Sequence, residues 1–172
     1  MQRGHLHMKT DIKKQEGFTI IEVLIVLAIA ATILLLVFLA VPALNRRSAN
    51  TKRANDVAAI GSAMQDYTSN HNGSLPADQA SFNSDVLPNA KLSFYDSSVV
   101  GNVKYVKNTT AQAPTGPGVG QLDKVEIDTY THCTDDNSAA QSSGATSRNA
   151  VALYRIETGG NNNGILVCKD LL

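Results

Sequence analysis

From Val23 to Asn45 the chain carries no charged residue, and the residue just before that run is a glutamate, Glu22. At about 1.5 Å of rise per residue, a helix over these positions is long enough to cross roughly 30 Å of hydrocarbon. A carboxylate at the head of such a run costs from about 2.5 kcal/mol upward at mid-bilayer, so Glu22 requires either an interfacial position or a cationic partner. A cleaved secretory signal accounts for the segment poorly, because its apolar core is short and leaves with the signal. An uncleaved signal anchor matches the length but gives no reason for Gly17-Phe-Thr-Ile-Ile-Glu22 at the boundary. Charge does not orient the span: Arg3, Lys9, Lys13 and Lys14 precede it, while Arg46, Arg47, Lys52 and Arg53 follow it, a tie under the positive-inside rule.

Lys13 and Lys14, then Gly17 directly before Phe18, Thr19, Ile20, Ile21 and Glu22, and the run Val23 to Ala30 that follows, resemble the processing site of type IV pilins and their pseudopilin relatives. The resemblance is detailed from residue 13 to about residue 76 and architectural beyond it. It implies cleavage between Gly17 and Phe18 by an inner-membrane prepilin peptidase and N-methylation of the new Phe18 terminus. It also implies a role for Glu22 in assembly, where the family matches this carboxylate to the N-terminal amine of a neighbouring subunit. The cytoplasmic leader would be residues 1–17, followed by a membrane and assembly half of the helix over 18–45, an amphipathic half over 46–72, and a globular head over 73–172. The expected fold is α+β and pilin-like, a long N-terminal helix packed on a small antiparallel sheet near the C-terminus.

Composition fits a small exported subunit. The sequence has 15 Lys plus Arg and 15 Asp plus Glu; without the leader's four basic residues and its two acids, Asp11 and Glu16, 11 remain against 13. That slight acidic excess gives no reason to expect nucleic acid. Roughly 100 residues after the helix make a marginal domain, one that a covalent staple would help. Cys133 and Cys168 are the only cysteines, and in a chain facing an oxidising space they read as one disulfide.

Past Pro42 the helix changes character. Val57, Ile60, Met64 and Tyr67 recur at spacings of three and four and form a packing stripe, with Lys52, Arg53, Asp56 and Asp66 assigned to other faces. Asn70-His-Asn-Gly73 with Pro76 beyond marks the stop, and Tyr67 followed by Asn72-Gly-Ser-Leu-Pro76 resembles the helix exit of many pilins. The family commonly has a helix-loosening proline where this chain has Leu39, so with Pro42 nearby a flexible or locally melted segment is expected around residues 38–45.

Residues 77–121 show little regular signal apart from a short strand at Val99 to Val106 and a loop at Ala113 to Gly120. Strands are expected at Leu122 to Cys133, Asn149 to Thr158 and Gly164 to Asp170, the last two joined by a hairpin loop from Gly159 to Gly164. Residues 134–148 form an exposed loop closed by the disulfide.

No catalytic, cofactor or metal site is expected. His5 and His7 leave with the leader, and His71 and His132 stand in no Ser, His and acid pattern. His132 beside Cys133 is a weak start to a zinc site, and Asp135-Asp-Asn137 lacks the calcium-loop spacing of an EF-hand. Gly118-Val-Gly120 lacks the Lys-Ser/Thr of a phosphate loop. Asn72 and Asn108 begin sequons of a kind that chance supplies often. Arg46, Arg47, Lys52 and Arg53 carry no interleaved aromatics and suit lipid headgroups or neighbouring subunits better than DNA.

The resulting expectation is a structural subunit of a type IV pilus-like filament, held in the inner membrane with its N-terminus inside and displayed at the cell surface after assembly. Its partners by resemblance are other copies of itself, the prepilin peptidase, an assembly platform and a motor ATPase. A type II secretion pseudopilin and a membrane-anchored sensor or binding domain are the alternatives.

Overall fold

The computed structural model describes residues 17–99, 101–110, 114–159 and 161–172. The leader residues named above before Gly17, and Val100, Ala113 and Gly160, lie outside that range. Two compact units partition the chain, Met1–Ala40 and Val41–Leu172. Helix α1, Ile20–Asn70, is assigned without interruption across both, with Pro42 inside it. The local melting expected around residues 38–45 is therefore not present; proline's fixed φ is helical, and its missing N–H removes one bond without ending the helix.

In the first unit every described residue is exposed, and the apolar side chains from Ile20 to Leu39 are left uncovered by the described residues. It is the one described helix long and apolar enough to cross a membrane.

In the second unit the stripe Val57, Ile60 and Met64 is fully buried and Tyr67 is half-buried. The helix ends as its sequence requires: Asn72 and Gly73 take left-handed φ of 55° and 78°, and the Gly73 N–H donates to Thr68 O at 2.7 Å, a bond of the Schellman type. His71 stacks on Tyr67 at 3.9 Å between ring centroids and belongs to this helix end.

The next segment departs from expectation. Residues 79–90 are helical, as α2 Gln79–Ser81, a π-helical turn Phe82–Val86 and α3 Leu87–Ala90. Asp78 caps the start through Ser81 N–H at 2.8 Å, and Phe82, Val86 and Leu87 turn one apolar face into the core. The many Ser, Asn and Asp residues hide this face, because only three large apolar side chains define it.

Strands β1 Val103–Val106, β2 Val125–Thr129, β5 Ala150–Thr158 and β6 Asn161–Asp170 form one sheet in the order β1-β2-β5-β6, and β3 His132–Cys133 pairs with β4 Ala140–Gln141. The three later strands of the sheet are antiparallel as expected, and β1 adds a parallel edge. Leu122 to Cys133 is not one strand: Tyr130 takes a φ of 63°, which breaks the ladder after Thr129 and redirects the chain into β3. Residues 134–148 are accordingly not wholly loop, since β4 lies inside them. The hairpin between β5 and β6 is tighter than expected, with Thr158 opposite Asn161, and a bulge lies between Ile156 and Thr158. Gly164, at a φ of 61°, sits opposite that irregularity; a Cβ there would lie 2.7 Å from Leu122 Cδ2.

Strand β5 is buried on both faces. Ala150, Ala152 and Tyr154 meet the core under α1, whereas Val151 and Leu153 meet Cys133, Ala140 and Cys168 on the outer face. That second cluster explains a continuous run of buried residues where one covered face would give alternation. The Cys133–Cys168 disulfide spans 5.6 Å between Cα atoms and joins β3 to β6.

Candidate assembly and processing site

Thr19 and Glu22 organise the start of α1. The Thr19 N–H and Oγ1 hydroxyl both donate to Glu22 Oε2 at 2.8 Å, and the Glu22 N–H donates to Thr19 Oγ1 at 3.3 Å. This reciprocal pattern is a capping box, with Thr19 as N-cap and Glu22 three residues on. The geometry supplies an acceptor for helix donors that would otherwise be exposed to lipid, and it commits one carboxylate oxygen. Among the described residues, Glu22 Oε1 accepts no hydrogen bond and Glu22 forms no ion pair. Phe18 is exposed, and a Cβ at Gly17 would meet nothing within 4 Å. Neither packing nor a left-handed backbone angle explains glycine at 17, so its role there lies outside the fold of the described residues.

The description Prokaryotic N-terminal methylation motif matches residues 12–38. The N-terminal segment is of the prepilin type. Among curated proteins and solved structures, none matches the chain. The match ends at residue 38, ahead of the second unit, so it says nothing of the residues that hold the head to the helix.

That attachment rests on two side chains that the sequence reading placed on other faces. Arg53 and Asp56 are 2% and 3% exposed. They sit one helical turn before Val57 and Ile60 on the same inward stripe, and the amphipathic pattern missed them because it counts charge as outward. Asp56 accepts from the N–H groups of Ser93, Phe94 and Tyr95 at 2.7 to 2.9 Å and from Ser93 Oγ at 2.8 Å. Arg53 donates Nε to Leu122 O at 2.9 Å and Nη2 to Glu157 Oε1 at 2.8 Å, while its guanidinium lies 4.3 Å from the Phe94 ring centroid. Asn50 completes the contact by pairing with both the N–H and the C=O of Glu157, at 2.8 and 2.9 Å. Three hydrogen-bonded segments, at 93–95, Leu122 and Glu157, thus meet on two turns of helix, and each buried charge has partners.

The remaining candidates resolve locally. Arg53 leaves the basic group of four, and Arg46, Arg47 and Lys52 are half-buried or exposed. The His132 ring faces Gln141 Nε2 at 3.0 Å, and Cys133 is in the disulfide, so neither is available to the zinc site considered above. Asp136 accepts from Thr134 Oγ1 at 2.6 Å and from Ser138 N and Oγ, bonds that hold its carboxyl at about 2. Gly118 N–H is taken by Gln121 Oε1 at 2.9 Å within a turn, not offered to a phosphate. Asn72 is exposed, whereas Asn108 donates its side-chain amide to Thr129 O at 3.0 Å.

Proposed function

We propose that this chain is a structural subunit of a type IV pilus-like surface filament. The observation that carries the reading is the pairing of a prepilin motif with an apolar helical segment, 20–45, that has no partner among the described residues and bears its one carboxylate, Glu22, in the first turn. Cleavage after Gly17 by a prepilin peptidase creates the Phe18 amine, which becomes N-methylated. The subunit waits in the inner membrane with the head outside. Each helix leaves lipid only when helices of other copies replace the lipid, and the incoming Glu22 meets the Phe18 amine of a preceding subunit. Low dielectric makes that contact strong and makes an unpaired partner costly. An assembly platform and a motor ATPase drive extraction, and the filament is displayed outside the cell. The chain itself performs no catalysis in this scheme.

Gly17→Leu tests the processing step. A bulky side chain just before the cut is expected to leave full-length precursor in the membrane; mass spectrometry finding a mature protein that begins at Phe18 in this variant would overturn the assignment. Imaging cells without the gene tests the filament role. Loss of all filaments identifies a major subunit, whereas a full set of normal filaments favours a pseudopilin or minor role.

A further inference from the structure

Asp128 is 2% exposed on the face of β2 opposite Val125 and Ile127, and its Oδ2 has no hydrogen-bond partner. Its neighbours across the sheet are Val106 and Val151, which offer only methyl groups. Two residues on, Tyr130 makes the left-handed turn, and Thr131 follows with no exposure and an unpartnered Oγ1. The chain then enters β3, where Cys133 N–H donates to Asp170 Oδ1 at 2.8 Å. The short connection from the sheet to the disulfide therefore carries two buried polar atoms without partners, an arrangement rare in folded proteins.

The charged and titratable groups around Asp128 do not compensate it. From β2 itself, Glu126 shares the face and adds like charge; from β1, Lys104 is committed to Glu126 at 2.7 Å. Strand β5 presents Val151 and Leu153 there. Strand β6 presents Asp170 beyond Val151, already bonded to Cys133, and β3 presents His132, whose ring is engaged by Gln141. The loop after β1 contributes Asn108, whose side-chain amide, bonded to Thr129 O at 3.0 Å, favours the ionised carboxyl less than burial and Glu126 oppose it.

We propose that Asp128 is a proton-operated latch for the disulfide-closed corner: neutral it keeps the link from β2 to β3 closed, and ionised it favours local opening of that link to water. Burial first, and Glu126 second, push its carboxyl up to about 7, with Lys104 and then the Asn108 side-chain amide opposing. The sign follows from proton binding. The closed state keeps its proton to a higher pH than the solvated carboxyl, so closure weakens as pH rises from about 4 to about 7 and is level beyond.

Hydrogen exchange of the Cys133 and Thr134 amides tests it, in the full chain in detergent micelles and corrected for intrinsic base catalysis. Between pH 6 and 8 the opening equilibrium is expected to rise about tenfold in the parent protein, the rise one proton released between these titration points produces, and to stay level in Asp128→Asn. An equal rise in the variant, or none in the parent, overturns the proposal. The carbon resonance of the Asp128 carboxyl decides the matter independently should the variant not fold. A midpoint near 7 supports the latch, and one below about 5.5, close to the solvated range, overturns it.

Discussion

Helix α1 contains two different solutions to the burial of apolar surface. Before Ala40 it is apolar on all sides and exposed on all sides; after Asn50 its apolar residues form one stripe, and that stripe is at or near zero exposure. A helix apolar all round has no preferred partner face and suits a medium that is itself apolar, lipid or a bundle of like helices. A striped helix specifies one neighbour, and here the neighbour is the chain's own sheet. The first region therefore finds no cover among the described residues, and the second carries its partners with it.

Glu22→Val draws that contrast most sharply. The variant is expected to be processed and held in the membrane at normal levels, with the head's unfolding unchanged, yet to give few or no filaments when it is the sole copy. Normal filament number and length would remove Glu22 from assembly and move preference to an anchored binding domain.

In the second region the largest effect is expected at a charge the pattern would have put outside. Asp56→Ala leaves three backbone N–H groups and the Ser93 hydroxyl without their acceptor and should lower head stability by about 3 to 5 kcal/mol. Asp66→Ala, one of the same expected outer set and in fact exposed, should stay within about 0.5 kcal/mol. Equal effects in denaturant titration would break the comparison of the two faces.

Removing the staple comes next. Cys168→Ser should cost roughly 2 to 5 kcal/mol, and the parent protein should show no free thiol when denatured without reduction. Alkylation of both cysteines under those conditions would contradict the bridge.

A smaller loss belongs to Thr19→Val, which removes the hydroxyl of the capping box and should lower local helix stability by about 0.5 to 2 kcal/mol. Increased amide exchange confined to the first turn is the expected reading, and exchange unchanged there would mean the cap contributes nothing.

Legibility followed periodicity. Val57, Ile60 and Met64 announced their face because a 3.6-residue repeat needs only residue type to be seen, and β5 and β6 were visible as β-branched and apolar runs between turn residues. Residues 79–90 stayed hidden because three large apolar side chains among polar neighbours make no repeat of their own; Phe82 is fixed by stacking on Tyr105, at 4.8 Å between ring centroids and distant in sequence. Gln79 is equally silent in the sequence. Its side-chain amide accepts from Tyr105 N–H at 2.6 Å and donates to Val103 O at 3.3 Å, closing the free edge of β1 in place of another strand.

The sequence by itself determined the methylation-motif match at residues 12–38, the apolar span and the turn that ends the helix, because each is a local pattern whose physics is complete within a few residues: a charge beside a hydrophobic run, or backbone angles that favour Asn and Gly. Which charges lie inside was decided only in the tertiary structure. Arg53, Asp56 and Asp128 are ordinary surface residue types, and their burial depends on loop amides at 93–95, on Glu157 and on the strands flanking β2, brought together from positions that share no local signal. A buried charge is stable or labile according to the partners folding gives it, so the well-bonded Arg53 and Asp56 and the buried Asp128, whose Oδ2 has no partner, became distinguishable only there.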